Sequence, residues 1–262
     1  MARYLLTDLS EHVLTVTLNR AAAQNALVPG LLSEFIEVFS SLSHRPEVHA
    51  VVLRSSSGAF SIGGDLHGFD RHFPDIRDYA YDIVGKLNQA MLAMIDAPQP
   101  IVTAVHGIVT GGSMGLVLAS DLVLIGRHAI FKSHYPSVGF SPDGGWGVLL
   151  PRIVGMRRAA ACLFHNDAID AKQALDWGIA NSILPSTVLH EAAQKTARKI
   201  AAYPPCTMRS SKQLLWRERE QIARELELER TKFVDLITRD GAREGVRHYL
   251  EQHPDYPPES GE

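Results

Sequence analysis

Two glycine-rich loops and one isolated carboxylate are the candidate chemistry of this 262-residue chain. The first loop, Ser61-Ile62-Gly63-Gly64-Asp65, follows an apolar run at 50–54. The second, Gly111-Gly112-Ser113-Met114-Gly115, follows the apolar run 101–105 and leads into a small-residue helix expected over about 113–119. Glycine lets backbone come close to a ligand, and the first amides of a helix have no intrahelical partner. Each loop is therefore a candidate site for a negatively charged oxygen. Two backbone amides from separate loops, aimed at one point, form an oxyanion hole. The carboxylate is Asp143, in Gly139-Phe-Ser-Pro-Asp-Gly-Gly145. A carboxyl group serves best as acid and base when its pKa is raised towards neutrality. An apolar pocket would raise that of Asp143, and a nearby helix start would oppose the rise. From the residues alone, an Asp after a proline and before two glycines fits a helix N-cap better than a catalytic group.

Thr110-Gly-Gly-Ser-Met-Gly115 also resembles the glycine-rich opening of short-chain dehydrogenases. Three features oppose a nucleotide site. Val117 stands where that fingerprint has its last glycine, the motif lies far from the N-terminus, and no Tyr-x-x-x-Lys pair exists. Four residues after Tyr81, Tyr135 and Tyr249 come Gly85, Gly139 and His253. A lone glycine-rich turn is a weak signal in any case.

The elements that must position these groups alternate between strand and helix. Short strands are expected at 3–7 and 12–18, an amphipathic helix from Val28 to about Ser43, and a buried strand at 50–54. A mobile segment is expected from the first glycine loop to about Pro74, then a long helix over 75–95. Buried strands at 101–105 and 122–125 follow, and a loop over 132–145 carries Asp143. Helical segments alternate with one last strand near 179–184, and a charge-rich helical tail closes the chain, frayed from His253. Strands alternating with helices argue α/β with largely parallel strands. The composition shifts near Ala201, which divides the chain into a body, 1–200, and a helical region, 201–262. The apolar spacing of Leu226, Phe233, Leu236 and Ile237 requires that region to dock on the body or on another subunit.

The net charge of −3, from 26 Lys and Arg against 29 Asp and Glu, argues against a nucleic-acid or anionic-membrane partner. Two cysteines, Cys162 and Cys206, make no disulfide framework. No apolar run of about 18 residues is present to span a membrane, and MARYLLTDLS contains no secretory h-region. A cytoplasmic, soluble protein is expected. His67, Asp70 and His72 lack a further clear ligand, so no metal site is expected.

With these pieces in place the chain resembles the crotonase (enoyl-CoA hydratase/isomerase) superfamily. The resemblance is carried by Leu18-Asn-Arg20 with Asn25-Ala-Leu27, Ala59-Phe-Ser-Ile-Gly-Gly-Asp-Leu66, Ala104-Val-His-Gly107 through Asp121, Val138 through Gly145, Leu150-Pro-Arg-Ile-Val-Gly155, and Ala171 through Gly178 into Ile183. It implies a spiral core of ββα turns with a C-terminal helical oligomerisation region, and a homotrimer or homohexamer. The implied substrate is an acyl-CoA thioester, with no cofactor beyond the CoA that is part of it. The amides of Gly64 and Gly112 match the oxyanion hole that would hold the thioester oxygen. Ala22, Ala23 and Gln24 match the loop beside the adenine, with Ile62, Asp65 and Leu66 completing the CoA site. Ala22 stands where the family often has a lysine.

The departures bear on the reaction. Hydratases of the superfamily carry two glutamates, and here Gly115 and Tyr135 occupy those positions. Asp143 matches the catalytic Asp of dienoyl-CoA isomerases, of phenylacetate-type isomerases and of 4-chlorobenzoyl-CoA dehalogenase; the surrounding segment is most similar to the phenylacetate type. The dehalogenase's helper histidine falls near Asn88 here. Tyr135 and Trp146 are candidate walls of the acyl pocket, beside Gly115. A double-bond isomerase using Asp143 is the favoured reading. Hydration, dehalogenation and a CoA-binding relative without turnover remain alternatives.

Overall fold

The fold was obtained as a computed structural model, which describes residues 3–257. The N-terminal hairpin pairs β1 (Leu5–Ser10) with β2 (Val13–Leu18), and α1 (Pro29–Ser41) leads to β3 (Ala50–Ser55). After the first glycine loop come α2 (Leu66–Arg71) and the long α3 (Ile76–Asp96). β4 (Ile101–Val105), β5 (Ile108–Thr110), α4 (Met114–Leu118), β6 (Leu122–Gly126) and β7 (Ile130–Lys132) follow. Next are α5 (Tyr135–Val138), α6 (Leu150–Val154), α7 (Met156–His165), β8 (Ile169–Asp170), α8 (Ala171–Asp176) and β9 (Ser182–Leu184). Four helices finish the chain: α9 (Ser186–Ala201), α10 (Pro205–Leu215), α11 (Arg219–Ile237) and α12 (Asp240–Gln252).

The main sheet has the order β1-β2-β3-β4-β6-β9, antiparallel between β1 and β2 and parallel elsewhere. A small sheet, β5-β7-β8, stands beside it. Side chains alternate between the two faces of a strand, and the two faces differ here. Val13, Ala50, Val52, Val102 and Ala104 pack under α9, where Ala193, Ala197 and Ala201 allow close approach. On the other face Leu14, Val16, Val51, Leu53 and Ile101 join the larger core with α1 and α3. The class is the expected α/β.

The helical tail docks on the body of its own chain. α11 packs along α3, burying Ile222, Leu226, Phe233 and Ile237, and α12 meets α2 and α5. The buried Lys212 of α10 anchors the junction. Its ammonium lies 2.9 Å from Asp121 and donates to the carbonyls of Met94 and Gln99 at 2.8 and 3.0 Å.

Three expectations need correction. The segment expected to be mobile after Asp65 holds α2, because the Asp65 carboxylate accepts from the amides of His67 and Gly68 and so caps it. The loop at 132–145 contains the one-turn helix α5, entered through His134 in the left-handed region, φ 62°, and left through Gly139, φ 71°. The end expected to fray from His253 instead lies against the body as far as Pro257, with Pro257 buried; residues 258–262 lie outside the described residues.

Candidate active site

The two glycine loops are stitched together by backbone. Ser61 and Val109 form an isolated parallel bridge, and the amide of Thr110 donates to the carbonyl of Ser61. The Thr110 hydroxyl reaches the Ile62 carbonyl at 2.5 Å, and the Ser113 hydroxyl reaches those of Ser61 and Thr110. Gly63 must be glycine. Its φ is +81°, and a Cβ there would lie 2.6 Å from the Thr110 carbonyl oxygen. On its other side the first loop pairs with Leu27, whose amide donates to Gly63 and whose carbonyl accepts from Asp65. These bonds use neighbouring groups. Among the described residues, neither the Gly64 nor the Gly112 amide is spent on a backbone partner.

Asp143 lies over the second loop. A Cβ on Gly112 would sit 3.0 and 3.3 Å from the two Asp143 carboxylate oxygens. The turn carrying Asp143 approaches this closely because Gly144, at φ +60°, packs its backbone on that of Gly112. Asp143 is 6% exposed. Its burial disfavours the charged form and lifts its pKa to about 6, against a Tyr135 hydrogen bond that pulls it down. The Tyr135 hydroxyl is 2.5 Å from Oδ1 and 3.0 Å from the Asp143 carbonyl. Burial and the Asp143 charge push the Tyr135 phenol well above its ordinary value, so it stays a donor.

These groups share one cavity of about 350 Å³. Gly64, Gly112, Tyr135 and Asp143 line it, with Phe69, Leu87 and Phe233 among its apolar walls. Of the expected CoA contacts, Gln24, Ile62 and Leu66 line the cavity. Ala22, Ala23 and Asp65 do not: Asp65 faces Arg20 at 2.8 Å and caps α2. Trp146 and Gly115 lie one layer behind the wall. Trp146 is 0% exposed, and its indole donates to the Gly111 carbonyl at 2.8 Å. It thus supports the second loop from behind and forms no wall of the cavity. His67, Asp70 and His72 are occupied otherwise: His67 stands edge-on to Tyr256, Asp70 meets Arg247, and the His72 ring bonds the Gly68 carbonyl.

Residues 8–257 match the family described as enoyl-CoA hydratase/isomerase. The chain belongs to that family. Among its relatives, the chain is 27% identical over 255 residues to 1,2-epoxyphenylacetyl-CoA isomerase of Escherichia coli, covering 95% of this chain and 96% of the relative. It is 28% identical over 255 residues to 2,3-dehydroadipyl-CoA hydratase of the same organism, covering 96% and 98%. The solved enoyl-CoA hydratase of Bacillus halodurans shares the fold, with a TM-score of 0.88 at 23% identity over 94% of this chain and 99% of that one.

Within the enoyl-CoA hydratase/isomerase family fold, Gly115 has little room to be anything larger. A Cβ there would lie 2.5 Å from the Met91 sulfur and 3.0 Å from the Gly144 carbonyl oxygen. The position at which the resemblance expects a hydratase glutamate is filled by a thioether.

Two side chains at the site escaped the sequence reading. Glu229 of α11 accepts from the amides of Gly145 and Gly147 at 2.9 and 2.6 Å, clamping the turn that carries Asp143. Burial, reinforced by the Asp143 charge, lifts its pKa to about 8, opposed by those amides. Tyr256 reaches the first glycine loop from the far end of the chain. Both act across long sequence separations, and no local pattern in the charged tail marks either one.

Proposed function

We propose that this enzyme of the enoyl-CoA hydratase/isomerase family is an isomerase that moves the double bond of an enoyl-CoA, with Asp143 as its single acid and base. The observation that carries the reading is the Asp143 carboxylate above Gly112, buried and with a pKa near 6. Asp255 is the other carboxylate lining the cavity among the described residues, and it is exposed at the mouth. Gln24, Ile62 and Leu66 would hold the CoA portion, and the thioester oxygen would sit between the Gly64 and Gly112 amides.

The amides polarise the thioester carbonyl and acidify the carbon next to it. Near neutral pH Asp143 is largely ionised and takes a proton from that carbon of a 3-enoyl thioester. The electron pair spreads into a dienolate whose oxygen charge falls on the two amides. The same carboxyl, now carrying the proton, delivers it to the γ-carbon, and the double bond comes into conjugation with the thioester. No atom is gained or lost, and no cofactor beyond the substrate's own CoA is required. Met91 at the Gly115 position argues against the paired-carboxylate clamp on water that hydration uses. Against dehalogenation, Asn88 is buried and donates to the Leu226 carbonyl, where a helper histidine would be needed.

The test is to supply 3-enoyl-CoA and 2-enoyl-CoA separately and follow the absorbance of the conjugated thioester. A rise with the 3-enoyl substrate is expected, and the 2-enoyl substrate should not be consumed by water addition. Binding of both without turnover would favour a non-catalytic relative. A homotrimer or dimer of trimers belongs to the same proposal; light scattering should return three or six times the 28.8 kDa chain mass.

A further inference from the structure

The C-terminal segment supplies a side chain to the first glycine loop. Tyr249, Gln252, His253, Pro254, Asp255, Tyr256 and Pro257 border the cavity. The Tyr256 hydroxyl accepts from the Leu66 amide at 3.2 Å and faces the Gly64 carbonyl oxygen at 3.4 Å. Its ring stands edge-on to His67, centroids 5.5 Å apart, and to Tyr249 at 6.4 Å.

This contact completes an account of helix donors. The first four amides of a helix have no partner inside it. In α2 the Asp65 amide donates to the Leu27 carbonyl, and the Asp65 side chain serves His67 and Gly68. The amide of Leu66 is left, and the Tyr256 hydroxyl takes it. The same hydroxyl touches the Gly64 carbonyl, so it bridges the two sides of Asp65. Phe69, one turn further along α2, packs on Gly64: a Cβ there would lie 2.7 Å from its ring. Asp65 is already held by Arg20, Gly63 by Leu27, and Ser61 and Ile62 by Thr110, so Tyr256 supplies the outer contact of a loop pinned on its inner side.

We infer that Tyr256 is a positioning residue for the Gly64 amide and for the Phe69 wall, so that the chain's C-terminal segment completes the acyl-CoA site. This rests on the proposed use of Gly64 as an oxyanion donor. Binding of the CoA portion depends on other contacts, so the hydroxyl matters to the charged, transition-state oxygen more than to ground-state affinity. Small misplacements of a catalytic group weigh heavily on rate.

Three measurements on the full chain carrying Tyr256→Phe test this, alongside the unaltered protein. The first is amide hydrogen exchange of residues 64–66, expected to quicken about tenfold with the loss of one hydrogen bond. The second is the split between kcat and KM with 3-enoyl-CoA: kcat should fall roughly tenfold with KM little changed. The third is affinity for a saturated acyl-CoA by calorimetry, expected unchanged. Unchanged exchange at 64–66 and unchanged kcat would overturn the inference. So would equal losses in kcat/KM and in saturated acyl-CoA affinity, which mark a contact serving binding alone. If the unaltered protein binds enoyl-CoA without converting it, the isomerase reading fails and the catalytic role of Tyr256 falls with it, whereas the exchange measurement still reports on the contact itself.

Discussion

Replacing Tyr135 with Phe isolates the bond that restrains the raised pKa of Asp143. The ring and its packing remain, and the hydroxyl 2.5 Å from Oδ1 is removed. In the intact site, burial lifts the Asp143 pKa to about 6 while the Tyr135 bond restrains it. A hydrogen bond to a charged group contributes about 1.5–3 kcal/mol, and about 1.4 kcal/mol is a tenfold change in a protonation equilibrium. The neutral acid also bonds the phenol, so the lower end of that range applies. The acid limb of kcat/KM should therefore move from about pH 6 to about pH 7. At pH 6 the variant should be several-fold slower, and at pH 9 nearly as fast as the parent. The assay is the pH profile of 3-enoyl-CoA conversion over pH 5–9, with unfolding checked at each end. An acid limb that stays put, or moves down, would refute the restraint that the Tyr135 hydroxyl places on Asp143.

Other perturbations test the scaffold around it. Glu229 has a folded-state pKa near 8 against an ordinary 4.5, so its contribution to stability is full below about pH 4.5 and is lost as the pH rises towards 8. Urea midpoints of Glu229→Gln relative to the parent should therefore rise steadily between those pH values; a difference independent of pH would contradict this. Lys212→Met removes the partner of the part-buried Asp121, which keeps its bonds from Trp216 and Ile101. A loss of about 3–5 kcal/mol by urea denaturation is expected, and a neutral change would mean that the junction of α10 is not anchored there. Gly115→Ala drives a methyl into Met91 and should cost about 1–3 kcal/mol. Combined with Met91→Ala, which itself empties a buried site, the total loss should be smaller than the sum of the two single losses, and additive losses would show that the two positions do not compete.

The features legible in the sequence are those whose physical cause is local. β4, the glycine cluster after it and α4 follow from apolar runs and backbone freedom, and they fall where the composition puts them to within a few residues. Asp143 was legible as a catalytic candidate through the family resemblance; its place between a proline and two glycines by itself suggests a helix N-cap. What was not legible depends on partners far along the chain. α2 has six residues and a glycine in its interior, so its periodicity is too short to read; the Asp65 cap and the Tyr256 hydroxyl that secure it become evident only in three dimensions. Glu229 looks like any other charge on a solvated helix until α11 lies along α3 and points it at the amides of Gly145 and Gly147. Trp146 is aromatic and close to Asp143 in sequence, which suggested a pocket wall, but its indole bonds Gly111 from behind.

The central claim is that Asp143 alone carries a proton across an enolate held by the two glycine loops. The direct measurement is conversion of 3-enoyl-CoA by the parent and by Asp143→Asn, with products identified by mass and acyl-CoA binding measured in parallel. The account predicts a product of unchanged mass from the parent. It also predicts loss of about 10²–10⁴ in kcat for Asp143→Asn, the usual contribution of a positioned acid–base group, with binding retained. Full activity in Asp143→Asn, or a product heavier by one water, would contradict it.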